Sequence, residues 1–178
     1  NVTLSPTNMT IDATGGGTLD LGGSQLTLNG TIFFANNSST VFNGTLRMQG
    51  TNSATINAAS NFIPTFVVNT GTTTANSSTF DAGCSILIDA GATLTNSAGG
   101  FVTTLLGDLN NNGTLTTGSG SSIHYNGNGT TLTNNGSITG TNFRFNTAGA
   151  KNISGAGTWT PSLIEINNTA FVTLAQNV

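Results

Sequence analysis

The chain has 178 residues; only 5% are charged, giving a net charge of −3, while 35% are hydrophobic. Ordinary soluble domains carry roughly 25% charged residues, so the surface here must be built from Thr, Ser, Asn and Gly. The three basic residues, Arg47, Arg144 and Lys151, leave no electrostatic footprint for nucleic acid or anionic lipid, and no stretch reaches the roughly 20 apolar residues that cross a bilayer.

So polar and Gly-rich a chain raises disorder as a possibility, but disorder normally joins low hydrophobicity to high charge. A mean hydropathy just above zero predicts an ordered protein instead. Glu, Lys, Arg and Gln are scarce and no window has apolar residues at helical spacing, so the order is predicted to be all-β. Length predicts one domain, 1–178. Cys84 stands alone, which excludes an internal disulfide. Beginning at Asn1, with neither Met nor a signal peptide, the chain reads as a mature form or an excised segment.

In chain order, short β-like pieces recur at intervals of about seven to ten residues. "NVTL" (1–4), "NMTI" (8–11), "TLDL" (18–21), "LTL" (26–28), "TIFF" (31–34), "TVF" (40–42) and "TLRM" (45–48) come first. "ATI" (54–56), "TFVV" (65–68), "STF" (78–80), "SILI" (85–88), "ATL" (92–94) and "FVTTLL" (101–106) follow, with an irregular stretch at 61–80. "TLTT" (114–117), "SIHY" (122–125), "TTLT" (130–133), "SIT" (137–139), "FRF" (143–145), "TWT" (158–160), "LIEI" (163–166) and "FVTL" (171–174) complete the series.

Two stretches are close copies, "LNNNGTLTT" at 109–117 and "LTNNGSITG" at 132–140. In them Leu109, Asn111, Gly113, Leu115 and Leu132, Asn134, Gly136, Ile138 fall at alternate steps, the strand period. Asn tolerates the left-handed region and Gly occupies it freely, so Asn29-Gly30, Asn43-Gly44, Asn112-Gly113 and Asn135-Gly136 are predicted to be structural corners. A β-sandwich of hairpins would use such turns, and so would a parallel β-solenoid. Sandwich edges are normally guarded by Lys or Glu, which this chain lacks. In a solenoid like residues stack at about 4.8 Å, where charges repel and neutral Thr, Ser and Asn do not. The predicted fold is therefore an all-β parallel β-solenoid (β-helix) with roughly seven or eight coils, rising about 35 to 40 Å at the strand spacing.

The pattern Leu-x-Asn-x-Gly-x-(Ile or Leu) at Leu109–Leu115 and Leu132–Ile138, with its Thr/Asn-rich strands and sparse charge, resembles the passenger repeats of bacterial surface adhesins of the filamentous haemagglutinin and autotransporter type. The resemblance implies a right-handed parallel β-helix exported to the cell surface, with display or adhesion as its function and no catalytic residues.

The ends carry a further expectation. "NVTLSP" opens the chain and "FVTLAQNV" closes it, so Asn177-Val178 reads on naturally into another strand. Neither end has the charged or Pro-rich cap of a free solenoid terminus. Val2, Leu4, Val172, Leu174 and Val178 are thus candidate contacts for end-to-end self-association, unless the chain is part of a longer solenoid.

Candidate chemistry is sparse. Asp12 and Asp20, like Asp81 and Asp89, lie eight residues apart. Paired carboxylates suit glycosidic cleavage, and Asp equally closes turns through its own side chain. No basic residue lies near an Asp in sequence, although a lyase would want one to neutralise a uronate. "GGGTLDL" at 15–21 approaches the calcium-binding nonapeptide of β-rolls, with Thr18 in place of a required Gly. His124 has no metal-spaced partner, and Cys84 reads as a small buried hydrophobe. Trp159 and Tyr125 suit either a sugar-stacking platform or the core. Asn-x-Ser/Thr sequons follow from composition. Outward Thr-x-Thr pairs, "TLT" at 93, 114 and 131 and "TWT" at 158, resemble an ice-binding face, but intervals of 21, 17 and 27 residues predict imperfect stacking.

The expected function is that of a non-catalytic structural or adhesive solenoid, secreted to a bacterial cell surface or extracellular fibre, without cofactor or metal. A glycan is a possible partner; nucleic acid and membrane insertion are not expected. A carbohydrate-binding or carbohydrate-cleaving β-helix and an ice-binding solenoid are the alternatives.

Overall fold

The computed structural model describes the chain apart from residues 1, 5–7, 12–17, 29–30, 35–39, 50–51, 56–60, 63–64, 70, 77–78, 81–83, 97–98, 101, 147, 168–169 and 176–178. The described residues form strands and turns, with no helix. β1 (Val2–Leu4), β2 (Asn8–Ile11), β3 (Thr18–Leu28), β4 (Thr31–Phe34), β5 (Thr40–Met48), β6 (Asn52–Thr55) and β7 (Asn61–Phe62) come first. β8 (Thr65–Val68), β9 (Gly71–Asn76), β10 (Thr79–Phe80), β11 (Ile86–Ile88), β12 (Ala92–Asn96), β13 (Val102–Leu105) and β14 (Leu109–Asn111) follow. β15 (Thr114–Thr117), β16 (Ser122–Tyr125), β17 (Thr130–Asn134), β18 (Ser137–Phe145), β19 (Gly149–Ser154), β20 (Thr158–Ile166) and β21 (Ala170–Leu174) complete the order.

Strand pairing defines a parallel β-solenoid with three faces. The first face stacks β1, β3, β5, β8, β11, β14, β17, β19 and β21. The second stacks β2, β4, β6, β9, β12 and β15, then residues 137–140 of β18 and 158–161 of β20. On the third, β10, β13 and β16 are continued by residues 142–145 of β18 and 163–166 of β20. Long strands such as β18 and β20 therefore cross from one face to the next without losing their pairing.

Away from the edges, each described strand's backbone is satisfied by the strands before and after it in the stack, which is why pieces of three to five residues suffice. One first-face column reads Val2, Leu26, Leu46, Phe66, Ile86, Leu109, Leu132, Ile153, Leu174, with steps of 20 to 24 residues. Alternate residues point inward, as in β12, where Ala92, Leu94 and Asn96 are buried between half-exposed Thr93 and Thr95. The resulting columns merge into one apolar core along the axis. Full burial of a Leu, Ile or Phe side chain contributes about 1.5–3 kcal/mol.

The fold class is as predicted. The structure has about five turns, against the seven or eight expected, and its first face stacks nine strands.

Between the first and second faces the core turns polar. Asn111 and Asn134 replace the aliphatic residues of the column Leu28, Met48, Val68, Ile88, and both are fully buried. Asn111 Nδ2 donates to Asn134 Oδ1 at 2.7 Å and to the Ser137 carbonyl at 3.0 Å; Asn134 Nδ2 donates to the Thr158 carbonyl at 3.1 Å. Carbonyls that would be stranded at the corner are thereby satisfied from inside.

Candidate functional site

Described residues on the second face form an ordered, neutral grid. Its strands contain no charged residue: "GTTTAN" in β9, "ATLTN" in β12, "TLTT" in β15, "SITG" at 137–140 and "TWTP" at 158–161. Register places Thr72, Thr93, Thr114, Ser137 and Thr158 in one column, and Thr74, Thr95, Thr116, Thr139 and Thr160 in a second. Between them stand Leu94, Leu115 and Ile138, all buried, and then Trp159, packed against the core. Alternation in a strand puts the residues on either side of a buried one outward. Thr93, Thr95, Thr114, Thr116, Ser137 and Thr139 are half-exposed, and Thr158 and Thr160 are exposed.

This stacking corrects the expectation of poor register. "TLT" at 131–133 belongs to β17 on the first face, where Thr131 is opposite Asn152 and Thr133 opposite Ser154. The true rung between 114 and 158 is "SIT" at 137–139, so the intervals on this face are 21, 21, 23 and 21 residues.

The charged residues lie elsewhere. Arg47 on the first face gathers Gln25 Oε1 at 3.2 Å, Asn69 Oδ1 at 2.8 Å and Asp89 Oδ2 at 3.2 Å. On the third face Arg144 pairs with Glu165 at 2.9 Å. Sequence separation had hidden both ion pairs. Asp20 Oδ1 accepts the Gly22 amide at 2.8 Å, the turn-closing use of Asp. Asp12 and Asp81 lie outside the described residues, so neither eight-residue pair can be placed. Among the described residues no three His, Cys, Asp or Glu side chains cluster as a metal site.

His124, outward on the third face, has its ring within 3.1 Å of Ser122 Oγ; burial, and then the Arg144 guanidinium, hold its pKa below the usual imidazole value. Tyr125 is directed inward and fully buried, and burial pushes its phenol up to about 12. Trp159 meets Phe143 edge-on at 5.3 Å. Tyr125 lies within the core, and Trp159 is half-buried against it. Lys151 is also fully buried, donates to the Gly149 carbonyl at 3.4 Å, and has its pKa lowered by desolvation. Cys84 is buried.

Of the predicted corners, Asn112-Gly113 and Asn135-Gly136 lie in the bends between β14 and β15 and between β17 and β18. Asn43-Gly44 falls inside β5, where the strand stops pairing with residues 18–20 of β3 and takes up residues 24–28. Asn29-Gly30 lies outside the described residues. Gly113 and Gly136 are not among the positive-φ glycines. They are needed for close approach: an added Cβ on Gly136 would collide with Gly113 O and lie 2.8 Å from Gly113 N.

The candidate end residues occupy opposite edges of the first face, Val2 and Leu4 in β1, Val172 and Leu174 in β21; Val178 lies outside the described residues. Beside β21 a cavity of about 270 Å³ is lined by apolar side chains of β18 to β21, among them Trp159, Ile164, Ile166, Val172 and Leu174. Leu163, Ile164, Ile166 and Leu174 are all more than 40% exposed there.

Fold and faces together define a parallel β-solenoid repeat protein. No known protein family matches the chain, and no curated protein or solved structure is significantly similar to it.

Proposed function

We propose that the protein is a non-catalytic structural or adhesive solenoid of a bacterial surface or extracellular fibre, of the filamentous haemagglutinin or autotransporter-passenger kind. The observation that carries this reading is the uncharged, in-register second face, which offers an extended surface where a catalytic β-helix would offer a groove of converging carboxylates. In support, both described Asp residues of the suspected pairs are already engaged, Asp20 with a turn amide and Asp89 with Arg47. The test is to incubate purified protein with insoluble polysaccharides and whole cells, measuring adsorption and released sugar. Adsorption without sugar release is expected. Sugar release abolished by Asp89→Asn would overturn the reading.

End-to-end association is a second reading, favoured by the exposed apolar patch at β20 and β21. A second copy is the proposed occupant, because Val2 and Leu174 stand in one column and a head-to-tail stack continues it. Filaments by electron microscopy are expected; a monodisperse monomer at high concentration would sink this reading.

A further inference from the structure

We propose that the second face binds crystalline water, adsorbing to a face of ice through its double threonine column. The proposal rests on the reading of the protein as a non-catalytic binder of extended surfaces, and it names the surface. The argument begins with spacing. Residues two apart in a parallel strand are separated by roughly 6.6 Å and successive rungs by roughly 4.8 Å, so the columns from Thr93 and Thr95 to Thr158 and Thr160 make a rectangular grid. Regular spacing in both directions is what contact with a crystalline surface requires. A grid of this kind can hold waters at lattice positions, and it is longer than one rung, so weak contacts accumulate along it as in any multivalent attachment.

Chemistry agrees with spacing. Each Thr presents a hydroxyl, which donates to and accepts from water, and a methyl, which fits between water molecules without competing for them. Branching at Cβ leaves few χ1 choices, so the groups are held in place before water arrives and little ordering is lost on binding. The buried Leu94, Leu115 and Ile138 beneath fix the strands from inside. Charge would defeat the arrangement, since an ion keeps its own hydration shell, and the strands of this face have none. The described charged side chains lie on other faces or at corners: Arg47 with Asp89, Arg144 with Glu165, Asp20 in its turn, Asp108 accepting the Thr131 amide, and Lys151 buried in β19. One rung is imperfect. Ser137 lacks the methyl that Thr93, Thr114 and Thr158 supply in the same column.

The experiment measures freezing-point hysteresis and ice recrystallisation for the purified chain, for Thr116→Lys at the centre of the grid, for Ser137→Thr, and for Asn110→Lys, an exposed first-face control. Wild-type protein is expected to depress ice growth. Thr116→Lys should lose about tenfold or more of that activity, as expected when a defect interrupts a multivalent contact. Asn110→Lys should keep the activity and Ser137→Thr should raise it. Circular dichroism verifies that each variant is folded; if Thr116→Lys is not, Thr160→Lys at the exposed last rung replaces it. Folded wild-type protein with no effect on ice overturns the proposal, and an equal loss in Asn110→Lys overturns its assignment to this face. The same preparation is applied to polysaccharides and cells. Adsorption there without an effect on ice leaves the adhesive reading standing, whereas failure in both assays removes both.

Discussion

Asn134→Leu tests the buried amide ladder. The side chain is fully buried, accepts from Asn111 at 2.7 Å and donates to the Thr158 carbonyl at 3.1 Å. Leucine keeps the branched shape at a somewhat larger volume and removes both bonds. Each of the two groups left without its partner costs about 1–3 kcal/mol, and extra apolar burial returns about 1–2 kcal/mol. The expected loss is about 2–4 kcal/mol. Asn111→Leu should cost less, about 1–2 kcal/mol, because Asn111 Oδ1 has no hydrogen-bond partner and the substitution removes that stranded acceptor. Leucine there also extends the aliphatic column from Ile88. Since the two residues share one bond, the double variant should fall short of the sum of the singles by about 1–2 kcal/mol. Urea unfolding followed by circular dichroism measures all three. Additive costs, or an Asn134→Leu loss below about 0.5 kcal/mol, would refute the ladder as a stabilising element.

Two further outcomes are expected. Tyr125 is the only tyrosine, so its phenolate absorbance can be titrated without overlap; the midpoint should lie near 12. An unfolded tyrosine ionises near 10, so this group's contribution to stability is full below pH 10 and is lost as pH rises toward 12. A midpoint at 10 in folded protein would contradict the burial. Gly136→Ala should destabilise by about 1–3 kcal/mol or more, because the three nearest atoms it would meet are backbone of the Asn112-Gly113 corner. Gly91→Ala, with φ of +76° and open space around it, should cost only about 1–2 kcal/mol for its conformation. A reversed order in urea midpoints would mean that the corner is looser than its geometry.

Much of the fold was legible in particular residues. Leu109, Asn111, Gly113 and Leu115 announced a strand period that ran through a bend, and lack of charge favoured stacked coils over a sandwich. The role of Gly136 was misread. A left-handed bend was expected, whereas the structure uses the missing side chain to bring two backbones together. The grid was hidden for a related reason. Thr131-Leu132-Thr133 and Thr114-Leu115-Thr116 are the same tripeptide on different faces, and the rung that belongs between 114 and 158 reads Ser137-Ile138-Thr139. Face assignment depends on corner lengths, which vary, so counting between identical words misses it. Arg47 and Asp89 were separated by 42 residues, and only the coil repeat brings them together.

The stacking direction has a mechanical consequence. All strand pairing runs from one coil to the next, so tension applied along the axis loads the hydrogen bonds of one interface at a time, as in a zipper. Each coil that detaches releases the 20 to 24 residues of one register step, roughly 70–80 Å of extended chain. A tether built this way would yield in steps, lengthening by many times its folded rise per coil while the coils still stacked keep their grip.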